Sequence, residues 1–235
     1  TNSELLRRLS NSPALPEGVA LFARRQSGGR GRLGRQWHTL PDQSLACSLL
    51  LRPQLPIERL PQISLAVAAA LHAALAPLAP DLRLKWPNDL LCRGRKMAGI
   101  LAEMRQMRGQ PPAVVVGIGL NLRPPLAGWP LDLTQPAMAL AEAAADEFDP
   151  NDIAARLLMR FEEYYRIWRD AGFAAIGEAW WQAHAASGQR VRAFDGRTYR
   201  EGIARGLDNS GALLLEYDGA LHPLHAGEIF LAENP

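Results

Sequence analysis

The sequence predicts an α+β protein in two parts, interleaved helices and strands up to about Ser187 and a small β-barrel after it. Three observations carry that expectation. The run Glu58–Ala79 is rich in Ala and Leu and apolar nearly all round, the mark of a helix buried on every side. Short β-prone runs surround it and are bounded by Pro, Asn and Gly. After Ser187-Gly188 the texture changes to short strand-like runs punctuated by Asp195-Gly196, Asp208-Asn-Ser-Gly211 and Asp218-Gly219, which is hairpin chemistry and suggests a barrel. A chain of 235 residues suits one large domain with a small appendage, here residues 1–187 and 188–235.

Taken in order, Thr1–Leu9 reads as an amphipathic helix with a Thr/Asn/Ser cap and Leu5, Leu6 and Leu9 at helical spacing. The chain opens abruptly on that cap, which suggests that residues upstream are missing. Val19–Arg25 is strand-like, and Ser44–Leu51 reads as a buried strand stopped by Pro53 and Pro56. Glu58–Ala79 is long enough for five or six helical turns at about 3.6 residues each. Leu82–Trp86 alternates as a strand does, and Pro87-Asn88-Asp89 breaks it. Leu90–Cys92, the turn Arg93-Gly94-Arg95 and Lys96–Met104 suggest a hairpin, and Pro112–Leu122 a central strand. A proline-marked loop, Pro124–Pro136, carries Gly128-Trp129. Helical periodicity returns at Ala137–Ala145, Pro150–Ala171 and Ile176–His184. In the second of these, Ile153, Leu157, Leu158, Phe161, Tyr164, Tyr165 and Trp168 form an apolar stripe that reads as core. Val191–Phe194, Tyr199–Ala204, Ala212–Tyr217 and Ile229–Leu231 are the strands expected in the barrel.

Several function classes are excluded. Gly117-Ile-Gly119-Leu-Asn121 and Gly28-Gly29-Arg30 lack the Gly-Lys-Ser/Thr of a Walker A loop, and no Rossmann fingerprint or GxSxG elbow stands in proper context. Cys47 and Cys92 sit in apolar runs and form no CxxC or disulfide framework, which fits buried thiols in a reducing compartment. The longest apolar run is interrupted by His72, Pro77 and Pro80, so it reads as a core helix and not a membrane span. No signal peptide heads the chain, and a soluble cytoplasmic protein is expected. The pair His222 and His225 has no Cys or acidic ligand at matching spacing and reads as structural.

The chemistry concentrates elsewhere. Arg24, Arg25, Arg30, Arg32 and Arg35 crowd one glycine-rich loop, Gln26–Trp37 and its lead-in, that holds no acid. Glycine lets backbone N–H groups turn towards an anion, and arginine adds a forked, permanently charged donor set. The net charge is only +2, so the basicity is local and suits a small anionic ligand better than a long nucleic-acid track. Three further polar sets interrupt apolar strands: Lys85-Trp-Pro-Asn88-Asp89, Lys96-Met-Ala-Gly99-Ile-Leu-Ala-Glu103 and Gly117-Ile-Gly119-Leu-Asn121. All fall at the ends of neighbouring β runs, where cations could bring a carboxylate and a triphosphate together, with a metal ion held weakly by an acid such as Asp89.

These stretches, with Thr1-Asn2 ahead of them, resemble the motifs of biotin protein ligases, in the family's order and over essentially the whole chain. The resemblance implies a mixed-sheet catalytic domain related to class II aminoacyl-tRNA synthetases and lipoate ligases, followed by an SH3-like barrel. It implies biotinyl-5′-AMP formation from biotin and ATP with Mg²⁺, then transfer of biotin to one lysine of a biotin carboxyl carrier protein or domain. By the same resemblance, Thr1, Asn2 and Gln26 hold the biotin head, and Arg30, Gly31 and Arg32 form the loop that closes over biotin and the adenylate. Lys96, beside Gly99, meets the biotin carboxylate and the reacting phosphate, so Arg30, Arg32 and Lys96 are the candidate catalytic residues. Lys85, Asn88, Asp89, Asn121 and Trp129 match the nucleotide side, with Asp89 as the Mg²⁺ ligand. Two departures stand out: only Thr1-Asn2 represents the family's Ser-Thr-Asn motif, and the helix-turn-helix domain of bifunctional members does not occur within these residues, which argues for a ligase without repressor activity unless such a domain precedes Thr1. Monomer and homodimer both stay open. A lipoate ligase of the same fold and a nucleic-acid or protein binding module are the competing readings; the second leaves Lys85–Asp89 and Lys96–Gly99 unexplained.

Overall fold

The computed structural model describes residues 1–39, 41–107, 109, 111–131 and 133–231. Its first sheet has six strands: β1 (Ala20–Ala23), β2 (Ser44–Leu51), β3 (Leu82–Lys85), β4 (Asp89–Cys92), β5 (Arg95–Arg105) and β6 (Ala113–Asn121). They run in the order β1-β2-β6-β5-β4-β3. Every ladder between named strands is antiparallel; parallel pairing enters through the bridges Leu84↔His184 and Lys96↔Ala137, which make the sheet mixed at its margins. Arg93 and Gly94 take positive φ (50° and 73°), which suits the tight turn joining β4 to β5.

The two faces of this sheet differ because alternate residues differ. On one face Cys47, Leu49, Ile100, Val116 and Ile118 meet α2 (Ile63–Leu75) and α3 (Pro150–Ala171) in the main core. On the other, Leu50, Ala113 and Val115 are covered by Leu5 and Leu9 of α1 (Asn2–Asn11) in a small second core. Between these, Ala46, Ser48, Gly99, Gly117 and Gly119 pair across β2, β6 and β5 and leave a stretch of almost bare backbone. That stretch is where the site lies.

Helix α3 matches its expected bounds, opened by Asp149, whose side chain accepts from the Asn151 N–H, and Pro150 at the first turn. The single helix expected over Glu58–Ala79 is instead a 3₁₀ segment, Ile57–Gln62, followed by α2. Pro61 supplies the reason, since it has no N–H for the helical ladder. Periodicity at Ala137–Ala145 yields only the 3₁₀ turn Leu140–Glu142, because Met138, Ala139 and Leu140 are drawn into the core and the backbone of Met138 is tied to Lys96. The Thr1 side chain does not cap α1; its hydroxyl accepts instead from Gln26 Nε2 at 2.9 Å.

After α4 (Ala174–Gln182) come β7 (Arg190–Phe194), β8 (Tyr199–Leu207), β9 (Leu213–Tyr217), β10 (Ala220–Leu224) and β11 (Glu228–Leu231), an antiparallel sheet in the order β10-β9-β8-β7-β11. The expected barrel is therefore an open ladder among the described residues, with β10 and β11 at its two ends. β10 contains His222, which the sequence reading also places in a strand of the barrel; it carries Pro223, which suits an edge where no N–H is required. The inner face of this sheet (Val191, Ala204, Leu213, Leu215, Ile229) joins the same core as the first sheet.

Three buried core indoles, those of Trp86, Trp168 and Trp180, stitch the layers together through hydrogen-bonded N–H groups. Trp168 donates to Gln62 Oε1 (2.9 Å), Trp180 to the Leu65 carbonyl (3.2 Å), and Trp86 to the Gly211 carbonyl of the second sheet (3.1 Å). His184 stacks on Trp180 and Trp181, and its Nε2 accepts from the Trp86 N–H (3.3 Å). Burial pushes its pKa down from 6.5 to about 3. Since protonation is disfavoured in the folded state, His184 should cost stability as pH falls from about 6.5 towards 3, with no further loss below that. Urea melts across this window should show the loss in the parent and a flatter profile in His184→Gln, whose amide oxygen can still accept from Trp86.

Candidate functional site

The floor of the site follows from the bare stretch of sheet. A Cβ on Gly119 would overlap the indole of Trp37, and one on Gly117 would overlap the carboxamide of Asn2. Two side chains from distant parts of the chain thus lie flat on β6 because it offers no side chains of its own. Asn2 is fully engaged there: Oδ1 accepts from Ser48 (2.6 Å), and Nδ2 donates to the Leu101 carbonyl (3.1 Å) and to Glu103 (2.8 Å). Above the floor lies a cavity of about 420 Å³.

The arginine-rich loop forms one wall. It is folded on itself, with Gly31 N–H to the Arg35 carbonyl (2.7 Å), Trp37 N–H to the Gly29 carbonyl (2.9 Å) and a bridge between Arg30 and Gln36. At its tip Leu33 holds φ at 55°, the left-handed region, with its side chain exposed. Gly29 has no room for a side chain, since a Cβ there would run into the Trp37 carbonyl.

Three cations of the wall and floor, Lys96, Arg30 and Arg35, each meet an acid. Lys96 Nζ lies 2.7 Å from Asp89 Oδ2 and also over the Trp37 ring (5.9 Å). A register shift at Leu90/Leu91 in the β4–β5 ladder places Lys96 opposite Leu91. Its backbone is fixed by Pro136 and Met138, and Asn121 Nδ2 donates to the carbonyls of both Lys96 (3.4 Å) and Met138 (3.2 Å). Arg30 binds Glu103 through both carboxylate oxygens (2.8 and 2.9 Å), and Arg35 reaches Glu228 of β11 (2.6 Å). Arg32 donates to Asn88 Oδ1 (3.0 Å), and burial lowers its pKa from the usual value, though a guanidinium stays charged. Asn88 in turn donates to the Ile100 carbonyl (2.7 Å). Trp37 Nε1, Trp129 Nε1 and Asp89 Oδ1 are buried and have no hydrogen-bond partner among the described residues.

Of the residues singled out in the sequence, Thr1, Asn2, Gln26, Arg30, Gly31, Arg32, Asn88, Asp89, Lys96, Gly99, Asn121 and Trp129 all line this one cavity. Lys85 does not: its Nζ sits 3.4 Å from Gln135 Oε1 and over the Phe230 ring (5.6 Å), and burial lowers its pKa. Trp37 and Glu103 end two of the stretches named in the sequence but were given no role there, and Glu228 was not named. Glu103 could have been found by strand alternation, four residues beyond Gly99 on the same face. Trp37 and Glu228 depend on long-range placement and carry no local signal.

A family model described as the biotin/lipoate A/B protein ligase family matches residues 1–121, and one described as the biotin protein ligase C-terminal domain matches residues 186–232. The chain is 36% identical over 234 residues to a biotin–[acetyl-CoA-carboxylase] ligase of Paracoccus denitrificans, covering 98% of this chain and 96% of that protein. It is 34% identical over 227 residues to the bifunctional ligase/repressor BirA of Bacillus subtilis, covering 95% of this chain and 69% of that one. Among solved structures, a biotin protein ligase of Aquifex aeolicus in complex with biotin and ATP superposes with a TM-score of 0.82 at 27% identity, covering 97% and 94% of the two chains.

The contact between Trp37 and Gly119 can be tested without any ligand. Gly119→Ala should destabilise the chain by about 1–3 kcal/mol, as overpacking does. In a Trp37→Ala background the same substitution should cost little; an equal cost in both backgrounds, measured by urea denaturation, would exclude this contact as the cause.

Proposed function

The chain belongs to the biotin/lipoate A/B protein ligase family as a biotin protein ligase, and on that premise we propose which of its residues carry each step. The enzyme activates biotin with ATP to biotinyl-5′-AMP and transfers biotin to a lysine of a carrier protein. The observation that supports the residue assignment best is the Lys96–Asp89 pair, which shares one cavity with Thr1, Gln26, Asn88 and Trp129.

In this reading Thr1 and Gln26, already hydrogen-bonded to each other, face the biotin head, with Arg30 and Gly31 above it. The bare backbone of Gly99, Gly117 and Gly119 and the Trp37 ring accommodate the apolar chain. A biotin carboxylate oxygen attacks the α-phosphorus in line and pyrophosphate leaves; Lys96 and Arg32 stabilise the charge that builds on the phosphate oxygens. In the second step the acceptor amine attacks the acyl carbonyl, loses its proton, and AMP leaves. Asn88, Asp89 and Trp129 serve the nucleotide side. Asn121 acts by fixing the backbone around Lys96, to which its amide is committed. Lys85, turned towards Gln135 and Phe230, supports the nucleotide side through the loop that carries Gln135 and Trp129.

Magnesium does not find a protein cage here. Among the described residues no group of three His, Cys, Asp or Glu is placed to hold a metal, and Asp89 Oδ2 is held by Lys96. Mg²⁺ would therefore enter on the ATP phosphates, with Asp89 as at most one ligand.

The division into residues 1–187 and 188–235, the relation of the first part to class II aminoacyl-tRNA synthetases and the SH3-like character of the second complete the proposal; five short antiparallel strands support the last point. No helix among the described residues is long and apolar enough to cross a membrane, and a cytoplasmic carboxylase carrier domain fits as the acceptor. Incubation with biotin, MgATP and a carrier domain should add the mass of one biotin to the carrier, and lipoate in place of biotin should not support ATP–pyrophosphate exchange.

Lys96→Ala should lower adenylate formation by ~10²-fold or more, the scale of losing one oxyanion donor, and pyrophosphate release reads this directly. Arg32→Gly should instead shorten the residence of biotinyl-AMP on the enzyme, measured by its dissociation rate after gel filtration.

A further inference from the structure

Building on this reading of the cavity, we infer that Glu103 is a positioning residue that prepares the biotin-head end of the site without touching the reacting atoms. Nothing in the chemistry of activation requires an acid at this place. Yet its carboxylate gathers two groups from different parts of the chain. Both oxygens accept from the Arg30 guanidinium at 2.8 and 2.9 Å, and one also accepts from Asn2 Nδ2 at 2.8 Å. Glu103 stands on β5 opposite Val115, on the same strand face as Gly99 and Leu101, which line the cavity. It therefore anchors the arginine-rich loop to the sheet from just beyond the cavity wall.

The energetic consequence follows from where the pair lies. Arg30 and Glu103 keep 49% and 23% of their side-chain surface exposed, so the pair adds little to global stability. Its effect falls on the loop: contact with both carboxylate oxygens favours one placement of Arg30, which lines the same cavity as the hydrogen-bonded pair Thr1 and Gln26. Asn2, which lies on the bare backbone of Gly117, is held by the same carboxylate. Ordering these groups before the ligand arrives lowers the entropy cost of binding, which is the general basis of preorganisation. Loss of the charge should consequently weaken biotin binding and leave nucleotide binding and the chemical step at saturation nearly untouched.

The test is Glu103→Gln, which keeps the shape and one acceptor oxygen but gives up the charge. Biotin affinity, measured calorimetrically on the full chain without ATP, should fall about tenfold. KM for biotin should rise in parallel, while kcat and KM for ATP stay within about twofold. In an Arg30→Ala background the same substitution should lose most of its effect, because Arg30 is the group being positioned. A biotin affinity within about twofold of the parent overturns the inference, as does a penalty of the same size with Arg30 absent, or a matching rise in KM for ATP. Failure of the parent itself to bind biotin would count against the assigned function and not against the role of Glu103 alone.

Discussion

The Trp37 indole and the Asn2 carboxamide lie against the backbone of Gly119 and Gly117, and the site is arranged around these two contacts. Strands β2, β6 and β5 are neighbours, so the small residues Ala46, Ser48, Gly99, Gly117 and Gly119 fall side by side. A sheet that carried ordinary side chains at these places would fill the cavity itself. Because it does not, α1 and the arginine-rich loop can each lay a side chain on the backbone and still leave room above. The opposite face of the same strands bears Cys47, Ile100 and Ile118 and is packed against the helices, which keeps the floor rigid.

Over that floor the charges are arranged for exchange. Lys96, Arg30 and Arg35 each answer an acid, and Arg32 answers the neutral oxygen of Asn88. The Arg30 and Arg35 pairs retain substantial exposure at the arginine, so each contributes little to stability and costs little to rearrange. These pairings hold the cations in position and offset the mutual repulsion of several positive charges gathered in one cavity.

The second sheet is tied into the same structure and not appended to it. Its inner face belongs to the core that also lies under the first sheet, and the Trp86 indole donates to Gly211 across the junction. Glu228 of β11 meets Arg35 of the loop. The segment carrying Asn88 and Asp89 is therefore supported from below by His184 and Trp86, and the loop opposite it is held from the side by the C-terminal sheet.

Much of this was legible in the residues alone, and the reason is locality. Period-two and period-3.6 patterns, Pro150 after Asp149, and Asp-Gly turns act within a few residues, so β2, α3 and the change of texture near Ser187 could be read directly. The motifs Gln26–Trp37, Lys85–Asp89, Lys96–Gly99 and Gly117–Asn121 likewise pointed to anion chemistry, and each of the four contributes residues to one cavity, although Lys85 does not line it. Helix over Glu58–Gln62 and Ala137–Ala145 was misjudged because Pro61 and the backbone ties of Met138 override periodicity. By itself, then, the sequence determined most of the elements, the buried stripes and the motifs whose residues gather in the cavity. Only tertiary structure decided that Trp37 lies on Gly119, that Glu103 holds Arg30 and Asn2, that Lys85 turns away, and that Glu228 reaches the loop from 193 residues along the chain. Such contacts arise from how sheets and helices stack, and stacking leaves no periodic trace in the sequence.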